Sequence, residues 1–127
     1  LPFTLPIRHN RVLGERWIAH QRTRGRRVGD ATNTPALQVA SSDFGNVSQR
    51  LPGLHPVIGI SAEHVGIHTE GFAEAASDAR GKSGLHDSVY GLAATAADFL
   101  SDPALRDSVR AAFEQDGGAV DVEGYFS

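Results

Sequence analysis

The stretch SSDFGNVS, residues 41–48, lies between two short apolar segments, residues 36–40 and 57–60, that are typical of buried strands. In an α/β protein, a polar, glycine-containing loop that leaves a buried strand is where chemistry usually occurs. A second polar loop, residues 66–70 (GIHTE), places His68 at the start of an acidic, alanine-rich segment. We therefore expect the two loops to form part of one active-site wall.

Hydrophobic spacing predicts three helices around these segments. The first covers about residues 11–24, with Asn10 as its N-cap. The second covers about residues 83–101, and its apolar stripe is predicted to be Leu85, Val89, Leu92, Ala96, Phe99 and Leu100. The third begins at Asp102 as N-cap and Pro103 as first helical residue, and its stripe is Leu105, Val109, Ala112 and Phe113. We also expect a single helical turn at 72–76 and a strand-like tail at 119–122.

The order helix, strand, strand, helix, helix predicts an α/β fold, in the form of a partial α/β sandwich with few strands covered by helices. The strands are residues 37–40 and 55–61, and the second is expected to be buried on both faces. Two such strands need neighbours in the sheet. We therefore expect one domain over residues 1–127, completed by further chain or by a second protomer.

Composition narrows the class of protein. The 127 residues include no Cys, which excludes disulfides, a thiolate nucleophile and a Cys-type zinc site. They include no Met and begin with Leu, so we expect residues ahead of Leu1. No apolar run approaches the roughly 20 residues of a membrane span, and residues 1–7 do not have the pattern of a signal peptide. The default location is the cytoplasm, and no membrane contact is expected.

The charge is unevenly distributed. Residues 8–27 contain seven arginines and one acidic residue, Glu15, whereas the rest of the chain is acidic. A basic arm of this kind is one signature of nucleic-acid binding. Because no aromatic platform or recognition motif accompanies it, the preferred interpretation is a solvated helix face that meets an acidic neighbour. No nucleic-acid partner is expected.

The histidines and serines of the two loops offer limited chemistry by themselves. His64 and His68 are separated by residues that favour extended chain, which would place them roughly 13 Å apart, too far to share one ion. Ser42 beside Asp43 is not a catalytic triad, because a nucleophilic serine needs an oriented base. The 41–48 loop is either a serine or aspartate turn that ends a strand, or a loop whose hydroxyls and backbone N–H groups face a ligand.

Ordered motifs over about residues 8–114 resemble the C-terminal catalytic segment of the di-zinc amidohydrolase and aminoacylase family of peptidases. The motifs are SDFGNVS at 42–48, PGLHP at 52–56, HTxxFxEAA at 68–76, LAxTAxD at 92–98 and DPxL at 102–105. The chain looks most like the branch with aminobenzoyl-glutamate hydrolase subunits and mammalian dipeptidase-like members. The resemblance implies an α/β sandwich split by an inserted lid domain, so residues 1–9 would be a linker from that lid.

The resemblance also implies a mechanism and a set of residues. Two zinc or manganese ions would activate a water that attacks the amide carbonyl of a small N-acyl amino acid or dipeptide, with a glutamate as general base. His68 matches a metal ligand of the family. The loop that contains Ser42, Asp43, Gly45, Asn46 and Ser48 matches the lining of the substrate cleft.

The departures from the family lead to two hypotheses. The other metal ligands and the glutamate base have no match in this sequence, and a catalytic zinc needs about three protein ligands. The first hypothesis is therefore a C-terminal fragment of a zinc-peptidase-like catalytic domain, inactive as this chain alone; the resemblance implies zinc or manganese in the full-length family and leaves open whether this chain itself binds a metal. The second is a stand-alone, non-catalytic structural or dimerising module of the same fold.

Overall fold

The computed structural model describes residues 4–28, 42–62 and 64–125, and within these ranges it contains six helices and no strand. In chain order the helices are α1 (Arg11–Thr23), α2 (Phe44–Ser48), α3 (Glu70–Ser77), α4 (Ala79–Ser101), α5 (Pro103–Gln115) and α6 (Val122–Tyr125).

Side-chain caps fix where the main helices begin. The Asn10 side chain accepts a hydrogen bond from the Leu13 amide, as the sequence predicts for the start of α1. The Asp102 side chain accepts from the amides of Ala104 and Leu105, and Pro103 is the first residue of α5, which confirms that prediction too. At α4 the cap is Asp78, so this helix begins four residues earlier than the predicted position 83.

The core forms where α1 packs against α4 and α5. Trp17 of α1 and the predicted α5 stripe, Leu105, Val109, Ala112 and Phe113, are all buried. The side chains of α1 pack closely on Gly91 of α4, where an added Cβ would lie 2.2 Å from Gln21 Nε2 and 2.8 Å from Trp17 Nε1. The absence of a side chain at residue 91 therefore leaves room for Gln21 and Trp17 against α4.

The predicted orientation of α4 is wrong. The helix buries a narrow face of small or polar residues, Gly84, Asp87, Gly91 and Thr95. The predicted stripe instead lies largely in solvent, with exposed fractions of 64% at Leu85, 60% at Val89, 49% at Leu92 and 75% at Leu100. We call the exposed residues of this face the α4 strip: Leu85, Val89, Leu92, Ala93, Ala96, Ala97 and Leu100. Polar pairing favours this orientation, because the Asp87 carboxylate is held by Arg24 and Arg26, which follow α1, and Gln21 of α1 donates to Asp87 O.

The predicted α/β sandwich is also wrong, since the described residues form helices without a sheet. The predicted strand at 55–61 is extended and alternates exposed and half-buried residues, as a strand would. Its backbone contacts, however, go to side chains: His55 N donates to His9 Nδ1, and Gly59 O accepts from Arg26. Without a paired neighbour, extended chain is not a β-strand. The other predicted strand, residues 37–40, lies outside the described ranges.

Two shorter predictions are corrected as well. Residues 44–48, expected as loop, form the single-turn helix α2. The tail expected to be strand-like at 119–122 instead enters α6 at Val122, which is buried. Local backbone hydrogen bonds close both turns, from Gly45 N to Ser42 O and from Tyr125 N to Asp121 O, and the tail is joined to the end of α2 by a bond from Val120 N to Gln49 O.

The extended N-terminal segment, residues 4–10, is attached to the helical core by hydrogen bonds. Asn10 is the main anchor: its amide donates to Gly53 O at 2.8 Å, and its Nδ2 donates to Val109 O at 2.9 Å. These bonds join the start of α1, the 51–54 turn and α5. The origin of this segment as a linker from a lid domain stays a prediction.

No helix within the described ranges is both long enough and apolar enough to cross a membrane.

Candidate functional site

His68 lies in a tight turn immediately before α3 and has a left-handed backbone conformation, with φ of 62°. It is the one described non-glycine residue with positive φ. The turn is closed by Thr69, whose hydroxyl donates to Gly66 O at 2.7 Å and accepts from the Phe72 amide at 3.3 Å. The His68 side chain is exposed. Sterically disfavoured backbone of this kind costs on the order of 1 kcal/mol or more and clusters at functional sites.

The predicted cleft-lining loop lies against the N-terminal segment. Asn46 Oδ1 accepts from the Leu5 amide at 2.8 Å, and Ser48 Oγ accepts from the Arg8 amide at 2.9 Å. Ser48 is fully buried and also donates to Gly45 O at 2.8 Å. An added Cβ at Gly45 would lie 1.8 Å from Leu5 O, so the two backbones are in direct contact.

Ser42 and Asp43 lie at the open end of the same loop. Ser42 Oγ donates to Asp43 Oδ1 at 3.2 Å and accepts from the Phe44 amide at 3.2 Å, and Asp43 is exposed. This is the serine turn that the sequence left as one of two alternatives. The second alternative, that the loop also faces a substrate, stays a prediction for all five residues.

Arg8 is a half-buried anchor that the sequence pattern did not indicate. Its guanidinium donates to Asp116 O at 2.8 Å, to Gln49 O at 3.2 Å and to Gly118 O. The same group lies over the Phe113 ring, 4.5 Å from its centroid. Arg8 therefore joins the end of α2 to the end of α5 through carbonyl groups.

Three other arginines of the basic segment, Arg16, Arg24 and Arg26, pair with acidic residues of α4. Arg24 Nε lies 2.9 Å from Asp87 Oδ1, and Arg16 lies 3.7 Å from Asp98 Oδ2. His20 Nε2 lies 2.7 Å from the same Asp98 oxygen. The prediction that the basic helix face meets an acidic neighbour is confirmed for these residues.

A cavity of about 500 Å³ is lined by residues from both sides of the His68 turn in the chain, and no sequence pattern predicted it. Its polar lining includes His64, Glu74, Asp78 and Arg80. The Gly81 amide is the main cause that holds the pKa of Asp78 below its usual value, and the Arg80 amide adds to it. Because Asp78 already caps α4, its carboxylate is committed to the helix end. His68 is not among the residues that line this cavity.

His9 and His55 form a second pair of imidazoles, beside the Phe44 ring. His55 N donates to His9 Nδ1 at 3.4 Å, and the Phe44 and His55 rings lie 5.3 Å apart. Partial loss of water lowers the pKa of His9, and the neighbouring His55 lowers it further. The lowered pKa favours a neutral His9 imidazole, and the pair joins the N-terminal segment to the 51–55 turn.

The described residues do not by themselves fit a catalytic zinc. Among residues 4–28, 42–62 and 64–125 no group of three or more His, Asp or Glu side chains is placed to hold a metal ion. A catalytic zinc uses about three protein ligands. His68 could provide one ligand, and the others would have to come from other residues.

Two curated proteins are similar to part of this chain. The mouse Xaa-Arg dipeptidase is 39% identical over 74 residues, and the human Xaa-Arg dipeptidase is 36% identical over 74 residues. Each match covers 58% of this chain and 17% of the relative, so the chain spans about one sixth of the length of these relatives. No family model matches the chain. No solved structure matches it either.

The position of the matched segment is constrained by its length. A segment of 74 residues within a chain of 127 starts no later than residue 54 and ends no earlier than residue 74. Residues 54–74 therefore lie inside both matches, wherever the ends fall. His55, His64 and His68 are all in this range. The chain is thus related to dipeptidases over a segment that includes the His68 turn.

Proposed function

We propose that this chain is part of a metal-dependent amidohydrolase of the dipeptidase type, which cleaves the amide bond of a dipeptide or a small N-acyl amino acid. The partial match to two Xaa-Arg dipeptidases supports the peptidase class. The observation that carries the proposal is the left-handed backbone at His68, an exposed histidine inside the segment common to both matches. Stability alone would favour glycine at this position.

In this proposal His68 supplies one imidazole ligand to a zinc or manganese ion. The turn closed by Thr69 holds the His68 backbone in one conformation. The directions in which the imidazole can project from the surface are therefore restricted. The remaining ligands and the glutamate base belong to residues outside the described ranges or to another polypeptide. The described residues do not form a complete metal site, and the isolated chain is therefore expected to be inactive.

The loop with Ser42 and Asp43 forms one wall of the substrate cleft in this proposal. Asp43 is exposed and Ser42 is half-buried, so both can be reached by a small molecule. Gly45, Asn46 and Ser48 hold the wall in place through Leu5 and Arg8. Substitutions at these last three residues should therefore act through the position of the loop.

A chimera with a relative that is named as a dipeptidase tests the role of His68. The matched 74-residue segment of the mouse Xaa-Arg dipeptidase is replaced by the corresponding segment of this chain, and hydrolysis of a dipeptide with C-terminal arginine is measured. We expect the chimera to be active and His68→Ala to lower kcat/KM by roughly a hundredfold or more, because a metal ligand is lost. The matched control, His64→Ala, should retain activity. A His68→Ala chimera as active as its parent would refute the assignment.

The second candidate is a non-catalytic module that associates through its surface. The exposed α4 strip favours this candidate, since exposed apolar surface of this extent marks interaction sites. Equilibrium dialysis of the 127-residue chain with zinc distinguishes the hydrolase from the non-catalytic module. The module interpretation predicts equal zinc content for the wild type and for His68→Ala. The hydrolase interpretation predicts weak zinc binding that His68→Ala abolishes.

A further inference from the structure

The Thr69 hydroxyl makes two hydrogen bonds that serve different parts of the chain. It accepts from the Phe72 amide at 3.3 Å, which caps the start of α3. It also donates to Gly66 O at 2.7 Å, and this bond spans the turn that contains Ile67 and His68. One side chain therefore joins the first residues of α3 to the far end of the His68 turn.

The turn that the donated bond closes contains the strained residue. Residues 66–69 form a four-residue turn with His68 in its third position, at φ of 62°. A positive φ at the third position is usual for glycine or asparagine, whereas a larger side chain meets the backbone there. A histidine in this conformation persists only where its surroundings hold it. Some contact must therefore keep the two ends of the turn together.

Packing against the helical core does not supply this restraint within the described residues. Residues 66–70 are all exposed. An added Cβ at Gly66 would lie within 4 Å of one atom outside the adjoining residues, the Thr69 methyl at 3.7 Å. The base of the turn does touch α3, where an added Cβ at Gly71 would lie 3.5 Å from Val65 Cγ1. That contact lies outside residues 66–69, so the hydrogen bond from Thr69 to Gly66 is the restraint that encloses His68.

We propose that Thr69 is a positioning residue, whose hydroxyl holds His68 in the left-handed conformation by donating to Gly66 O. The directions open to the imidazole are thereby set by the residue that follows it. The inference that this positioning serves hydrolysis rests on the proposed function, whereas the restraint on the backbone does not. The two bonds of Thr69 are separable by substitution. An ionised aspartate accepts from the α3 amides as a cap, but it has no proton to donate to Gly66 O.

Thermal unfolding of the 127-residue chain tests the restraint. His68→Gly should raise Tm by about 4 °C in the wild-type background, because glycine adopts this φ without strain. In the Thr69→Asp background the same substitution should raise Tm by less than about 1 °C, since His68 has already relaxed there. The matched control is Ser77→Ala, which removes a similar hydroxyl bond, to Glu74 O at 2.8 Å, and should leave the full gain from His68→Gly. Equal gains in all three backgrounds would overturn the proposal.

Hydrolysis by the dipeptidase chimera tests whether the restraint matters for activity. Thr69→Asp should lower kcat/KM by about tenfold or more, because a misplaced functional group lowers the rate even when the fold is retained. Thr69→Ser retains both hydrogen bonds and should keep the activity of the parent chimera. A chimera that stays active with His68→Ala refutes the proposed function itself. Loss of activity with His68→Ala but not with Thr69→Asp refutes the positioning role alone.

Discussion

The Asp87 carboxylate accepts a hydrogen bond from Arg26 Nε at 2.5 Å, and this pair fastens the residues that follow α1 onto the middle of α4. Arg24 donates to the other carboxylate oxygen at 2.9 Å. The Asp87 side chain is 8% exposed, against 22% for Arg26 and 46% for Arg24, so the acid is buried while its arginines reach solvent. Asp87 thereby selects which face of α4 turns inward.

Replacing Asp87 by Asn should lower the free energy of unfolding by about 2 kcal/mol, because two arginines lose their charged acceptor in a partly buried site. Urea denaturation followed by circular dichroism measures the change. Asp107→Asn, at an exposed position of α5, is the matched control and should stay within about 0.5 kcal/mol of the wild type. A loss no larger than that of the control would contradict the assigned role.

The stability that Asp87 and its two arginines contribute depends on pH in a defined direction. The Arg26 hydrogen bond, and then that of Arg24, lowers the pKa of Asp87 below its ordinary value of 3.8. The native state therefore binds this proton less readily than the unfolded state, and the stabilisation is fully present above pH 3.8. It is lost as the pH falls through the lowered pKa. The stability difference between wild type and Asp87→Asn should thus be constant near neutral pH and shrink in acid.

The second prediction concerns His9, whose lowered pKa acts in a higher pH range. Because the folded state favours neutral His9, the unfolded state takes up a proton first as the pH falls below 6.5. Stability should therefore decline between pH 6.5 and the lowered folded-state pKa. His9→Asn retains an acceptor for the His55 amide without a titrating ring, and should flatten the decline. His64→Asn, at an exposed position in the cavity, is the control and should leave the slope unchanged.

The third prediction compares two helical glycines. Gly91→Ala should destabilise the fold by roughly 2 kcal/mol, since the new Cβ would meet Gln21 at 2.2 Å and force α1 away from α4. Gly14→Ala should stabilise it by about 0.5–1 kcal/mol, because its nearest contact would be Leu54 at an ordinary 3.8 Å and helix propensity improves. Thermal unfolding of both variants gives the sign of each stability change directly. Equal shifts in Tm for the two variants would contradict the tight contact at residue 91.

Local signals predicted much of this structure, and long-range pairing was where prediction failed. The caps at Asn10 and Asp102 and the α5 stripe depend on neighbours three or four residues away, and each is confirmed. The sheet depends on a partner strand, which the spacing of residues 57–60 cannot supply. Alternation of apolar residues shows that a segment can be extended, without showing that it is paired.

The orientation of α4 illustrates a second limit. A stripe of Leu85, Val89 and Leu92 is the standard signature of a buried face, whereas the structure buries Gly84, Asp87 and Gly91. Asp87 and Gly91 matter because of Arg24, Arg26 and Trp17, which are more than 60 residues away in sequence. The hydrophobic pattern identified an apolar surface correctly, but it could not indicate whether this chain itself covers that surface.

The candidate site was predictable only where a motif marked it. His68 was named from its motif, and its positive φ is a structural property that the residue type did not indicate. The sequence pattern places Arg8 in a solvated basic arm, because its three carbonyl acceptors lie on residues more than 40 positions away. Gly45 and Ser48 have roles in anchoring residues 5 and 8 that the loop composition did not show.

The fourth prediction separates backbone strain from side-chain chemistry at His68. His68→Gly should raise the free energy of unfolding by about 1 kcal/mol, because glycine adopts a φ of 62° without steric cost. His68→Ala retains that cost and should leave stability nearly unchanged. In the dipeptidase chimera both variants lack the imidazole, so both should lose activity even though one is more stable than the parent. A stabilised His68→Gly variant that retained activity would show that the strain at this residue serves no catalytic ligand.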